Sequence, residues 1–198
     1  MKNLFILFFL LTFTSIKAQS EYGFYRVDTL HSNIYWKCDK HNGLIKLKDG
    51  GFVLSGNHTI VGGKFIIDMH TIKDLDMNIK QYGTAVMIFE NTLKNEFFEA
   101  DTYPYAVFEL QKIEKIKTDR YKLTGDFTLH GITNCISFEA AIQIDEKTIV
   151  LKSDQFSIDR TDWGIYRMSP KRPYSDDENG WTVPDTIELH IEIKAIKE

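Results

Sequence analysis

Cysteine is scarce: the 198 residues hold two, Cys38 and Cys135. Neither belongs to a CxxC pair. None of the six histidines, His31, His41, His58, His70, His130 and His190, forms an HxH or HxxxH pair. The spacings of a sequence-local metal site are therefore missing. So are a GxSxG elbow, a phosphate loop and a dinucleotide fingerprint. The adjacent pair His31–Ser32 makes a poor base and nucleophile, because neighbours on a strand point to opposite faces. No metal, cofactor or catalytic residue is expected, and the chain reads as a protein that is not an enzyme. Basic charge is also short, with 24 Lys and Arg against 28 Asp and Glu and a formal net charge of −4. A nucleic-acid partner would need a basic patch.

Long apolar runs are missing too, apart from one at the start. "MKN" is a short basic opening, "LFILFFLLTFTSI" is brief for a membrane span, and "KAQ" offers a small residue for cleavage after Ala18. This layout predicts a signal peptide over 1–18 and export to the periplasm or beyond the cell, with no transmembrane anchor after cleavage. Removing Lys2 and Lys17 with that segment takes the formal charge from −4 to −6 and leaves 19–198, the length of one domain with a sizeable core. Export permits a disulfide. The alternation opposes it: Cys38 continues the series Ile34, Trp36, while Cys135 falls out of phase with Ile136, Phe138 and Ala140. Two free thiols are expected, Cys38 facing inward and Cys135 outward.

What the chain has in quantity is a period of two, the mark of half-buried strands. Ile187, Leu189, Ile191, Ile193 and Ala195 alternate with Glu188, His190, Glu192 and Lys194. Leu123, Phe127 and Leu129 alternate with polar neighbours in "YKLTGDFTLHG", and Ile136, Phe138, Ala140, Ile142 and Ile144 share a face. Phe65, Ile67 and Met69 form a third series, and Ala106, Phe108 and Leu110 a fourth. Shorter strands are expected at 44–48, 51–56 and 149–158, with turns at "HNG", "KDGG", "IVGG", "KTDR", "HGITN" and "DEK". Short, regularly spaced strands imply an antiparallel sandwich or barrel. One stretch departs from this period: Ala85, Ile88, Phe89, Thr92 and Leu93 recur at three and four, which predicts one short helix near 84–94. Pro104 bars its continuation. A long loop, 168–185, holds three of the four prolines and an acidic cluster. Between helix and strand lies "LKNEFFEADTYPYAVFEL", where Phe97 and Phe98 are expected to fold back as an apolar plug at one end, with Glu96, Glu99 and Asp101 on its wet side.

Phenylalanine, tyrosine and tryptophan number 14, 9 and 3, and many fall on the inward phase. A closed barrel of about eight strands either fills with side chains or holds one ligand; the period alone does not separate the two. Four blocks carry further information. "VDTLHSNIYWK" resembles an opening D-x-x-H-S-x-I/V. "LKNEFFEADTYPYAVFE" resembles H-L-K-S-x-x-F-F-D-x-x-x-Y-P-x-A-x-F. "YKLTGDFTLHGITNCISFEA" resembles G-D-L-T-L-H-G-V-T-x-x-V, and "FSIDRTDWGI" a closing R-x-x-W/F-G. In this order they resemble the YceI-like, polyisoprenoid-binding-like family over nearly the whole of 19–198. The resemblance implies an all-β, lipocalin-like, antiparallel up-and-down β-barrel, exported, with a long isoprenoid in its interior and no defining catalytic activity. Thr92 departs from the family's histidine, 41–65 is short and lysine-bearing, and 168–185 is long.

The expected function is thus an exported, non-enzymatic binding protein for a polyisoprenoid, isoprenoid quinone or similar lipid. The alternative is an extracytoplasmic stress or surface protein that acts by protein contact through 168–185. A homodimer is compatible with either. Candidate ligand-binding residues are Ile34, Trp36, Phe65, Ile67, Met69, Phe97, Phe98, Phe108, Leu110, Phe127, Leu129, Ile136, Phe138 and Phe156, with Trp163 closing one end. Polar candidates are Asp28, His31, Ser32 and Arg160. Arg160 shares the phase of Phe156 and Ile158, and an inward arginine needs an acid, Asp28 or Asp162, or an anionic head group.

Overall fold

Alternating sequences bury one face only if the sheet closes or packs, and here it closes. The computed structural model describes residues 22–56, 58–172 and 182–198. The predicted signal segment and the middle of the 168–185 loop lie outside them. Among the described residues ten strands occur in chain order: β1 (Gly23–Val27), β2 (Asn33–Cys38), β3 (His41–Leu54), β4 (Ile60–Asp74), β5 (Tyr105–Lys115), β6 (Arg120–Leu129), β7 (Ile132–Ile144), β8 (Thr148–Ser153), β9 (Phe156–Asp159) and β10 (Thr186–Lys197). From β2 to β8 each pairs with the next in antiparallel register, and β10 pairs with both β2 and β8, giving an eight-stranded ring. Two positions of the ring are divided. β1 and β2 share the groove between β10 and β3, and β8 and β9 lie end to end along β10. The turn between β1 and β2 is fixed by Ser32, which is fully buried; its Oγ donates to Lys194 O (3.2 Å) and accepts from Lys194 N (3.0 Å).

The period-two faces become the interior: Phe65, Ile67, Met69, Ala106, Phe108, Leu110, Leu123, Phe127, Leu129, Phe138, Ala140, Ile187, Leu189 and Ile193 are all buried. The expected turn at "HGITN" is a two-residue hairpin in which His130 and Gly131 both have positive φ, 50° and 75°. That twist matches the flanking strands. The expected turn at "KDGG" is a correction. The segments 44–48 and 51–56 are one strand, β3, bent by register shifts between Leu44 and Lys46 and between Leu47 and Asp49. Gly50 makes this bend feasible: its φ is +133°, and a Cβ there would lie 2.2 Å from Lys64 O.

The wall has one seam. β7 pairs with β8 only from Ala140 onward, and β9 pairs with β10, so residues 132–138 of β7 face β9 without a ladder. Side chains close this gap. Phe138 stacks on Phe156 with centroids 4.8 Å apart and planes 11° apart, and Asn134 Nδ2 donates to Asp162 O (2.9 Å).

The helical segment holds α1 (Ile79–Tyr82), α2 (Thr84–Thr92) and a single π turn, Leu93–Phe97. Its buried face differs in part from the expected one. Ala85 and Ile88 are exposed and Val86 is buried, while Phe89 and Leu93, both on the expected face, turn toward the barrel with Phe97, at spacings of four and four. The sequence pattern misplaced Ala85 and Ile88 because they fit the same period one step round the helix.

Candidate functional site

The interior is not completely filled. An outer chamber of about 140 Å³ lies under the helical segment, lined by Ile34, Trp36, Cys38, Asp39, His41, Ile45, Ile67, Met69, Ile72, Phe89, Leu93, Phe97, Phe98, Ala106, Phe127, Leu129, Ile158, Arg160, Val183, Ile187 and Leu189. A deeper chamber of about 50 Å³ is lined by Phe65, Phe108, Ile136, Phe138 and Phe156, together with Leu47, Phe52, Leu123, Leu151, Ile191 and Ile193. The two share Ile34, Ile67, Phe127 and Leu189, which form a waist between them. Both exceed the roughly 10–15 Å³ that one water needs, and a purely apolar lining is the kind that stays dry. Every side chain around the deeper chamber is apolar. The polar ones, Asp39, His41 and Arg160, all belong to the outer chamber.

The cover of the outer chamber is built by the π turn. Phe98 N donates to Leu93 O (3.1 Å), a wide turn that carries both Phe97 and Phe98 to the chamber. The acidic residues around them do more than keep the corner wet. Glu96 pairs with Arg167, Glu99 Oε1 lies 3.3 Å from His130 Nε2, and Asp101 Oδ1 lies 3.1 Å from His70 Nε2. Each ties the corner to a different part of the wall. On the other flank the His41 ring packs on Phe89 at 4.3 Å, and Asp74 N donates to Glu90 Oε1 (3.3 Å).

Arg160 closes the loop side. It opens the 3₁₀ turn Arg160–Trp163 after β9 and is 1% exposed. Nε donates to Pro184 O (3.2 Å), Nη1 to Ile165 O (2.8 Å) and Arg167 O (2.7 Å), and Nη2 to Val183 O (3.0 Å). Asp185 Oδ1 lies 3.2 Å from Nη2, an ion pair without directed hydrogen-bond geometry. Burial lowers the guanidinium's pKa and Asp185 opposes that shift; arginine stays charged under such conditions. Its acid is therefore Asp185, and neither Asp28 nor Asp162, which the chain pattern favoured. Phe97 covers the guanidinium, its centroid 5.6 Å from Cζ.

Five of the candidate residues, Asp28, His31, Ser32, Leu110 and Trp163, line neither chamber. The His31 side chain is 64% exposed and lines neither chamber. It holds Asp28 at 2.7 Å, and that hydrogen bond keeps the Asp28 carboxyl below its usual pKa. Both cap the turn before β2, where Asp28 Oδ1 also accepts from Leu30 N. Leu110 is buried in the core but lies beyond the deeper chamber. Trp163 backs the wall: its Nε1 donates to Phe127 O (3.0 Å) and its ring meets Phe127 edge-on at 5.5 Å. Ile187 and Leu189 of β10 and Phe89 of α2 also line the outer chamber; all three fall on faces that the pattern placed inside, but none was among the candidates. Cys38 and Cys135 are both free thiols, Cys38 on the outer chamber and Cys135 exposed. Burial raises the Cys38 pKa, and its Sγ–H donates to Pro184 O at 3.5 Å.

Among the described residues one group brings potential metal ligands together: His41, Asp74 and Asp76, within 4.8 Å. Protein donors already occupy its carboxylates. Asp74 accepts from Met77 N (2.6 Å) and contacts His41 Nδ1 (3.0 Å), while Asp76 accepts from the backbone and side chain of Asn42. The group clamps the start of β3 to the segment after β4.

An up-and-down ring of eight antiparallel strands with an apolar interior and a helical cover defines a lipocalin-like barrel. The YceI-like domain family model matches residues 25–195, and the chain belongs to that family. No curated protein matches the chain. Solved structures share the fold. BcnA of Burkholderia cenocepacia superposes with a TM-score of 0.61 at 16% identity, over 85% of this chain and 99% of its own. A polyisoprenoid binding domain from Saccharophagus degradans, implicated in plant cell wall breakdown, gives 0.58 at 12% identity, over 91% and 100%. A Campylobacter jejuni YceI protein gives 0.53 at 21% identity, over 82% and 84%. No helix among the described residues is long and apolar enough to cross a membrane.

Proposed function

We propose that the protein is an exported, non-enzymatic carrier that holds one long apolar molecule, an isoprenoid or similar lipid, inside the barrel. The observation that supports this most is the pair of adjoining chambers, the deeper one lined by apolar side chains alone. Such a lining offers no acid, base or nucleophile, but it suits a hydrocarbon chain. Each CH₂ taken from water contributes about 0.8 kcal/mol. The ordering of a flexible tail offsets much of that, which keeps affinity within the practical limit of about −20 kcal/mol. The isoprenoid class is carried over from the binding named for the Saccharophagus degradans domain. Export rests on the basic-then-apolar start of the sequence, and places the carrier in the periplasm or outside the cell.

Native mass spectrometry tests this reading on protein purified from the envelope of its own cells. One bound apolar molecule per chain, released by organic solvent, is the expected result. A clean unliganded mass, with no uptake when prenyl lipids are titrated in, would refute it.

A further inference from the structure

We propose that Trp36 reads the polar end of the bound molecule, donating its indole N–H to an uncharged acceptor oxygen. The inference rests on the carrier reading above and adds to it the chemistry of the ligand's head and the way round that the ligand lies.

Trp36 is 7% exposed and lines the outer chamber, and its Nε1 is buried with no acceptor among the described residues. Buried donors are normally paired. Other buried ring donors of the barrel are: Trp163 Nε1 has Phe127 O, and the Tyr25 hydroxyl donates to Glu146 O (3.1 Å). Other buried polar atoms without a hydrogen bond have a charged neighbour, as His130 Nε2 has Glu99 and Asp185 Oδ1 has Arg160. Trp36 Nε1 has neither. A phenylalanine would line the same wall with no donor to satisfy. Here the opposite strand makes room for an indole: Gly43 pairs with Trp36, and a Cβ on Gly43 would lie 2.5 Å from Cζ2 and 2.6 Å from Cε2 of the ring.

The charges around the chamber indicate which acceptor fits. Arg160 is the lining cation, and its N–H groups are committed to four carbonyls and Asp185. His41 is held by Asp74, and Asp39 adds negative charge. A phosphate would meet acidic groups and no free cation, and burying an unpaired charge is strongly unfavourable. A ketone, ether or alcohol oxygen needs one donor, and Trp36 supplies one. The molecule then lies with its tail through the waist into the deeper chamber and its oxygen under the helical cover.

The test titrates wild-type and W36F protein with farnesylacetone, its deoxygenated hydrocarbon and farnesyl phosphate. Wild type is expected to prefer the ketone to the hydrocarbon by about fivefold, the worth of one net hydrogen bond, and to bind the phosphate least. In W36F the ketone-to-hydrocarbon ratio falls to one or below; the ratio is the readout, because the smaller ring alters apolar contact with both ligands alike. In ¹⁵N-labelled wild type the Trp36 indole N–H resonance shifts with the ketone and not with the hydrocarbon, a readout that does not depend on the variant folding. An unchanged ketone preference in W36F, an unshifted indole resonance, or a preference for the phosphate overturns the assignment and leaves the carrier reading standing. Failure of wild type to bind any of the three overturns both.

Discussion

Replacing Arg160 with methionine should destabilise the protein more than almost any other single change. The side chain fits the space without its charge, so the effect reports the polar network rather than a cavity. Four backbone carbonyls, of Pro184, Ile165, Arg167 and Val183, lose their donor, and Asp185, 7% exposed, is left without its counter-charge. Removing one partner of a buried ion pair costs about 3–5 kcal/mol. Each carbonyl adds roughly 0.5–1.5 kcal/mol where water cannot reach it, though not additively. A loss of about 4 kcal/mol or more is expected, against a total stability of about 5–15 kcal/mol for a domain. For a chain of this length that lowers Tm by about 8–16 °C. Urea denaturation followed by circular dichroism measures it directly. The double variant R160M/D185L should recover about 2 kcal/mol, since an apolar pair in place of a buried ion pair is often neutral or better. If R160M stays within about 1 kcal/mol of wild type, Arg160 is not the element that joins β9 to the segment before β10.

Two further predictions concern the chambers and the acid limb. Ile67→Trp places a large ring at the waist, at a cost of about 1–3 kcal/mol from overpacking; affinity for long prenyl chains should fall more than affinity for short chains that stay in the outer chamber, which Ile67 also lines, and equal losses at all lengths would contradict the two-chamber description. Asp159 has its pKa lowered to about 2, first by Lys171 and then by the Thr161 hydroxyl. A lowered carboxylate stabilises the fold fully above its unfolded value and loses that contribution as pH falls toward 2. The stability difference between wild type and D159N should therefore be largest above pH 4 and shrink below it, as measured by urea midpoints; a difference independent of pH would remove Asp159 from the acid response.

The walls of the barrel were legible because period two is strict wherever one face is buried: Phe65, Ile67, Met69 and Phe108 stand where alternation put them. What failed did so for local reasons. "KDGG" reads as a turn, but Gly50 lets β3 bend and continue. The helix face was legible in part: Phe89 and Leu93 pack inward as expected, while Ala85 and Ile88, apolar and one step round, are exposed, and the contact with His41 marks the side that turns in. Arg160 was placed inward by phase, yet its partners come from residues 165–185, mostly as carbonyls, which no sequence pattern displays. His31 looked chemical because of its residue type, and its role is to cap a turn. The two-part division of the interior depends on how Ile34, Ile67, Phe127 and Leu189 meet across the ring, a relation between four strands that lies beyond any single alternation.

Occupation of the interior by an apolar molecule can be tested directly, because the two thiols stand on opposite sides of the wall. Cys38 lines the outer chamber, and Cys135 is exposed on the outside of β7. Alkylation by a small thiol reagent, followed residue by residue by peptide mass spectrometry, should be slow at Cys38, where burial raises the thiol's pKa, and fast at Cys135. Saturation with a prenyl lipid should slow Cys38 further, because a ligand in the outer chamber covers most of its lining, and leave Cys135 unchanged. Equal alkylation of Cys38 with and without bound lipid would place the ligand outside the barrel and contradict the account.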